Sequence, residues 1–355
     1  MAPLLTSRLS EREESVRLEV FAAWEALLKQ TGLYGGSNYV GAGEAPTGLK
    51  RKRLDSQSNE NVFTSVLLPI RALVADPVPD LLVRYSTSPL ASQTVPLTRA
   101  ALKQTTTKSV PTKEKSFNLL TSVVKLIPGC LDGQASTVVG NVRKALSGVS
   151  TGSGGHNNTS LVISILAFLG AFVESHPSRI YASSLPELVD STVAFMADKY
   201  QRVSLEALGT AASLAKALRP EPASQGDSPL PSSYVAPVQK LYEAVCDIIS
   251  STAADSDVRD KAIHAIGDLL THEGEVLASM YDKSLPLITA RLNTDSNQLA
   301  ALEVIGDIAE SRACFGAQIE QWLASVLEQF PALLRRCPKQ NRGKALSVLE
   351  TLLTR

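Results

Sequence analysis

Four histidines and four cysteines are the residues of this 355-residue chain best suited to nucleophilic or metal chemistry. A structural or catalytic metal needs three or four such ligands converging, commonly as closely spaced pairs. Cys130, Cys246, Cys314 and Cys337 lie far apart, and no C-x-x-C pair occurs. His156 falls in a Gly/Ser/Asn stretch, and His176 and His272 are each expected just past the end of a helix. His264 sits between the apolar residues Ile263 and Ala265 and is expected on the solvent side of its helix. None stands with a cysteine in a recognised metal-binding motif, so no metal and no activated nucleophile is expected. Ser153-Gly154-Gly155 and Gly35-Gly36 are not phosphate cradles, because neither follows a strand and no G-K-[ST] occurs. No catalytic residue and no cofactor is predicted, and the chain does not read as an enzyme.

Charge narrows the remaining classes. Thirty-five Lys and Arg balance 35 Asp and Glu, so no global positive field recruits nucleic acid or an anionic membrane. One local exception is Lys50-Arg51-Lys52-Arg53, a basic run of the kind an acidic groove on a nuclear import carrier reads. The cysteine pattern suits a reducing compartment, the N-terminus lacks a secretory core, and Leu161 to Val173 is too short to span a membrane. These features predict a soluble chain of the cytoplasm and nucleus. The sequons around Asn157 and Asn158 then carry no meaning.

The elements that would position any binding residue follow from periodicity. From Val258 the apolar residues fall at offsets 0, 4, 5, 7, 8, 11 and 12, a broad stripe on a helix of 3.6 residues per turn. The same template recurs from Val16, Thr112, Leu161, Val203, Asn297 and Asn341, with steps of 96, 49, 42, 55, 39 and 44 residues. Most steps lie near the roughly 40–47 residues of a HEAT or armadillo unit. Each step also holds an earlier helix, such as Leu185 to Met196, Val235 to Ile249, Leu285 to Leu292 and Ile319 to Leu334. The predicted fold class is therefore all-α, an α-solenoid of about seven HEAT-type two-helix units.

Asp255-Ser256-Asp257 and Asn293-Thr294-Asp295 are expected to cap the second helices by accepting their orphan N–H groups. Basic residues at the helix start, Arg17, Lys113, Arg259 and Arg342, are expected to pair with cap acids from unit to unit. Trp24 and Trp322 fall on apolar stripes and are expected in the core. The solenoid is expected to span 1–355, interrupted by a Gly-rich, basic, disordered insertion at 32–61, a Gly/Ser loop at 147–158 and a Pro/Ser loop at 220–233. Neither end carries a polar capping face, so the chain reads as the middle of a longer solenoid, a fragment or one piece of a scaffold made in parts.

Three runs go beyond a generic repeat. Ser10-Glu11-Arg12-Glu13-Glu14-Ser15-Val16-Arg17 with Leu27-Leu28-Lys29-Gln30-Thr31 is the first, and Lys108-Ser109-Val110 with Phe117-Asn118-Leu119-Leu120-Thr121 and Leu126-Ile127-Pro128-Gly129 is the second. The third is Ser204-Glu206-Ala207-Leu208 leading to Arg219-Pro220. In order and spacing they resemble the central HEAT repeats of the cullin-associated, neddylation-dissociated (Cand) proteins. The resemblance implies a scaffold that wraps an unneddylated cullin and its RING subunit and promotes exchange of substrate-receptor modules. It further implies a central arch between the tips that grip the two ends of the cullin. The three inserted stretches depart from the family pattern. A HEAT scaffold of another kind, a transport receptor or a phosphatase regulatory subunit, is the alternative, and a piece without independent activity is a third reading.

In HEAT arrays the non-stripe residues of the second helices face a partner. The candidate positions are Glu114, Lys115 and Asn118 in the Thr112 helix, Glu206 in the Val203 helix, and Asp260, Lys261, His264 and Asp268 in the Val258 helix. The partners expected on this reading are a cullin, its RING subunit and other segments of the same solenoid.

Overall fold

The computed structural model describes residues 9, 13–30, 89–150, 158–219, 230–294, 296–311 and 316–354. All regular structure among them is helical. The 32–61 insertion, Lys50 to Arg53, His156 and Cys314 lie outside the described residues, as do 151–157 and 220–229 of the two shorter inserts. The flanks of those inserts are helical at Ser147 to Ser150 and at Ser232 and Ser233.

The chain divides into two compact units, Met1–Gln134 and Ala135–Arg355. In the first, α1 (Glu14–Gln30) and α2 (Pro89–Gln104) both pack on α3 (Val110–Leu126). The α3 start is well specified: Ser109 is the N-cap, its side chain accepts from the Thr112 N–H, and Pro111 sits in the first turn. The Glu14 carboxylate accepts from the hydroxyls of Ser109 and Thr112, which ties α1 to that cap and holds the carboxyl below its ordinary value. Every template position of α3 is buried: Thr112, Ser116, Phe117, Leu119, Leu120, Val123 and Val124.

The second unit is a two-layer array. First-layer helices are α4 (Ala135–Ser150), α6 (Leu185–Met196), α8 (Ser232–Ser250), α10 (Tyr281–Leu292) and α12 (Ala317–Arg336). Second-layer helices are α5 (Thr159–Ser175), α7 (Gln201–Leu218), α9 (Ser256–Leu277), α11 (Gln298–Glu310) and α13 (Arg342–Thr354). Each first-layer helix pairs with the second-layer helix that follows it, and each helix also stacks on its counterpart in the next pair. Stacking is closest in the second layer.

That asymmetry has a sequence cause. First-layer helices α8, α10 and α12 carry internal prolines, Pro237, Pro286 and Pro331, each removing a backbone donor. Second-layer helices instead present the seven-position template. In α5, α7, α9 and α11 all seven positions are buried, at about 1.5–3 kcal/mol for each fully buried large aliphatic. In α13 the equivalents Leu346 and Leu353 are 55% and 68% exposed, whereas Asn341, Ala345 and Val348 are buried.

Close approach in this layer depends on glycine. A Cβ on Gly267 of α9 would lie 2.8 Å from Val304 Cγ2 of α11, and one on Gly306 would lie 3.3 Å from Val348 Cγ2 of α13. Only a residue without a side chain lets the two helix pairs meet at that spacing. The all-α solenoid of HEAT-type repeats read from the periodicity is borne out.

Three local expectations are corrected. Asp255 is the N-cap of α9 and Asn297 that of α11, yet neither side chain caps its own helix. Arg259 does not pair with a cap acid among the described residues: its Nη2 donates to the carbonyls of Ser251 and Ala254, and its Nη1 lies 3.5 Å from Asn297 Oδ1. The α9 helix also does not end before His272. It bends at Glu273 (φ −117°, ψ 20°) and runs on to Leu277.

Candidate protein-interaction face

The uncovered side of the second layer holds the candidate residues of the second unit. Asp260, Lys261, His264 and Asp268 project from α9 at 3.6-residue spacing, with Lys261 exposed and the other three half-buried. Glu206 is half-buried on α7, one turn from Gly209. Lys261 lies across Gly209, its Cε only 3.5 Å from where a Cβ would stand, so the missing side chain makes room for the lysine stem.

The other α9 residues are engaged sideways. Asp268 Oδ1 lies 3.1 Å from Lys216 Nζ of α7. His264 Nε2 lies 3.5 Å from Glu303 Oε2 of α11. Asn297 Nδ2, at the head of α11, donates to Asp260 Oδ1 at 2.6 Å and also to the Ser256 carbonyl and hydroxyl. Farther along the layer, Ser213 donates to Glu174 Oε1 of α5 at 2.7 Å, and Thr351 of α13 donates to Glu310 Oε1 at 3.4 Å. Asp307 of α11 has its carboxyl raised by burial, with the Lys344 charge pulling it back down.

A polar seam therefore crosses all five second-layer helices. Its exposed pairs are each worth about 0.2–1 kcal/mol, too little to hold the array together. They fix side chains in place, and the result is a preordered mosaic of both signs on a rigid layer. Such a face can recognise a protein by complementary charge and shape.

Glu114, Lys115 and Asn118 are half-buried on α3, in the other unit. Sequence reasoning did not single out Lys216, Glu303, Asp307 or Lys344, which share the seam with the α9 residues. One available signal went unread: glycine stands at offset 9 of the template in Gly170, Gly267 and Gly306.

The remaining candidates resolve into packing. His176 is buried, stacks on Phe172 with ring centroids 4.5 Å apart, and has Nδ1 3.0 Å from the Phe172 carbonyl. His272 has Nδ1 3.0 Å from the Asp268 carbonyl, and burial lowers its pKa. Burial pushes the Cys246 thiol up to about 11 and Cys130 to about 12, away from nucleophilic use. Trp322 is buried and its Nε1 donates to Thr289 Oγ1 at 2.9 Å. It also lines a groove between α10 and α12 with Leu285, Pro286 and Gln318. Among the described residues no three His, Cys, Asp or Glu converge to hold a metal, and no helix is long and apolar enough to cross a membrane.

A protein-family model described as CAND1-like, TPR repeats, matches residues 129–266. Cullin-associated NEDD8-dissociated protein 1 of Drosophila melanogaster is 25% identical over 88% of this chain and 21% of its own length. The Arabidopsis thaliana protein of that name is 24% identical over 99% of this chain and 24% of its own. An Emericella nidulans relative, named as the C-terminal part of such a protein, is 27% identical over 99% of this chain and 35% of its own. The chain thus spans about a fifth to a third of these relatives. Among solved structures, an engineered protein superposes with a TM-score of 0.54 at 13% identity, over 99% of this chain and 78% of that one. A designed armadillo repeat protein gives 0.52 at 14% identity, over 71% of this chain and 98% of its own. These two support the repeat fold alone. The relatives bear out the family resemblance drawn from the residues.

Proposed function

We propose that this chain, which belongs with the cullin-associated NEDD8-dissociated (Cand) proteins, is a non-enzymatic scaffold that binds an unneddylated cullin–RING ligase and promotes exchange of its substrate receptors. The observation that carries the reading is similarity to proteins of that name along 99% of the chain. A rigid two-layer array suits the role, because a scaffold must hold distant contacts at fixed spacing without chemistry of its own.

On this reading the cullin packs against the second layer of the array. Glu206, Asp260, Lys261, His264 and Asp268 contribute part of the contact, and Glu114, Lys115 and Asn118 contribute from α3. The RING subunit and other segments of the same kind of solenoid complete the assembly. Lys50-Arg51-Lys52-Arg53 serves as an import signal, giving a protein of both cytoplasm and nucleus.

The test is an exchange assay. A labelled substrate-receptor module is preloaded on an unneddylated cullin–RING complex and chased with unlabelled module, with and without the purified chain. The reading expects faster release with the chain present. Unchanged release would remove exchange from its activities. Charge reversal at Lys261 and Asp268 together tests the face, and an unaltered affinity would remove these positions from it.

A further inference from the structure

Glu273 is fully buried, and neither of its carboxylate oxygens has a hydrogen-bond partner among the described residues. It also stands where α9 departs from helical geometry, at φ −117° and ψ 20°. Its neighbours on the buried stripe are Leu270, Gly274 and Leu277, so an aliphatic side chain would serve packing better. An unmatched carboxylate at a bend is costly as a charge and far less so as a neutral acid.

The surrounding groups do not neutralise it. Arg219, the C-cap residue of α7, gives its Nη1 to Glu275 Oε1 at 2.6 Å, although its charge still favours the ionised form of Glu273. Asp268 acts in the opposite sense, and Lys216 of α7 is held by Asp268. His272 is turned to the Asp268 carbonyl, and Asp307 of α11 adds a further carboxyl near Asp268. From α8 and α10 come phenols: Tyr242 donates to the Met280 carbonyl at 2.5 Å and Tyr281 to the Gly274 carbonyl at 2.6 Å. These last two bonds clamp both sides of the turn that leads from α9 into α10.

We propose that Glu273 is a proton-operated hinge in α9. Protonated, it lets the helix bend and pack between α7 and α10. Ionised, it draws water to the bend and loosens the segment from Asp268 to Met280. The hinge lies in the helix that carries Asp260, Lys261, His264 and Asp268, so its state sets how firmly that part of the seam is held.

Burial raises the Glu273 carboxyl well above its ordinary value of 4.5. The native state therefore keeps a proton that the open state releases. Stability is fully present below the carboxylate range, falls as pH climbs through the native value, and is level above it.

The test is hydrogen exchange of the full chain at several pH values, corrected for the intrinsic pH dependence of exchange, read at backbone amides 268–280. Wild type is expected to open about tenfold more per pH unit within the sensitive window, as one released proton requires. Glu273→Gln, which keeps the shape of the acid but cannot ionise, is expected to abolish that slope, and Glu273→Leu to do the same should the amide fold poorly. A flat wild-type profile, or a slope kept in a folded Gln or Leu variant, overturns the proposal.

Discussion

Asn297 at the head of α11 donates its side-chain amide to Asp260 of α9 at 2.6 Å, so a residue in a capping position links two helix pairs instead. Asn297 is buried, and Ser256 and Arg259 lie within reach of the same side chain. This is the rung that joins consecutive repeats in the second half of the array.

Removing the rung has a defined cost. Asn297→Ala is expected to destabilise the chain by about 1–3 kcal/mol, since it leaves Asp260 and Arg259 without that partner in a half-buried site. Asp260→Ala is expected to cost less. A double-mutant cycle in urea is expected to give a coupling of about 0.5–1.5 kcal/mol. Additive single effects would show that the two residues act separately.

Glycine at the second-layer contact makes a sharper prediction. Gly267→Ala forces a methyl against Val304 at 2.8 Å and is expected to lower stability by about 1–3 kcal/mol despite the better helix propensity of alanine. Gly306→Ala, at 3.3 Å from Val348, is expected to cost less. Combining Gly267→Ala with Val304→Ala should recover part of the loss in thermal denaturation. A Gly267→Ala protein as stable as wild type would mean that α9 and α11 part easily.

How much of this was legible beforehand follows from the kind of interaction involved. The template from Leu161, Val203, Val258 and Asn297 located buried stripes correctly because burial on a helix leaves a 3.6-residue period in one stretch of chain. The seam did not show, because Lys216 with Asp268 and His264 with Glu303 are pairs between helices, set by a register the local sequence does not encode. His272 looked like a helix end because Glu273 reads as polar, whereas the fold buries it. Asn297 read as the first position of the buried template, and only its neighbours in space show the sideways use.

Trp322 joins first-layer helices α10 and α12. Trp322→Phe keeps most of the buried ring and is expected to cost about 1 kcal/mol for the lost bond to Thr289. Trp322→Ala is expected to cost about 3–5 kcal/mol through the cavity it leaves. Denaturant midpoints for the two variants check this ratio. Equal losses would place the energy in the hydrogen bond rather than in packing.

Arg219 pairs with Glu275 at 2.6 Å and lies near enough to the buried Glu273 for its charge to favour the ionised form of that acid. Arg219→Ala is expected to destabilise the folded chain by about 1–3 kcal/mol, because a partly buried carboxylate loses its cation. The loss should be unchanged in a Glu273→Leu background, because the folded chain keeps Glu273 protonated and Arg219 then pairs with Glu275 alone. A smaller loss there would show that Arg219 also holds a charge on Glu273.

The partner proposed for this array is a cullin. The most direct measurement is titration of the purified, folded chain against an unneddylated cullin–RING complex, with the neddylated complex as control. Saturable binding to the first and its loss on the second are expected. A chain that is helical by circular dichroism and binds neither complex would contradict the proposal.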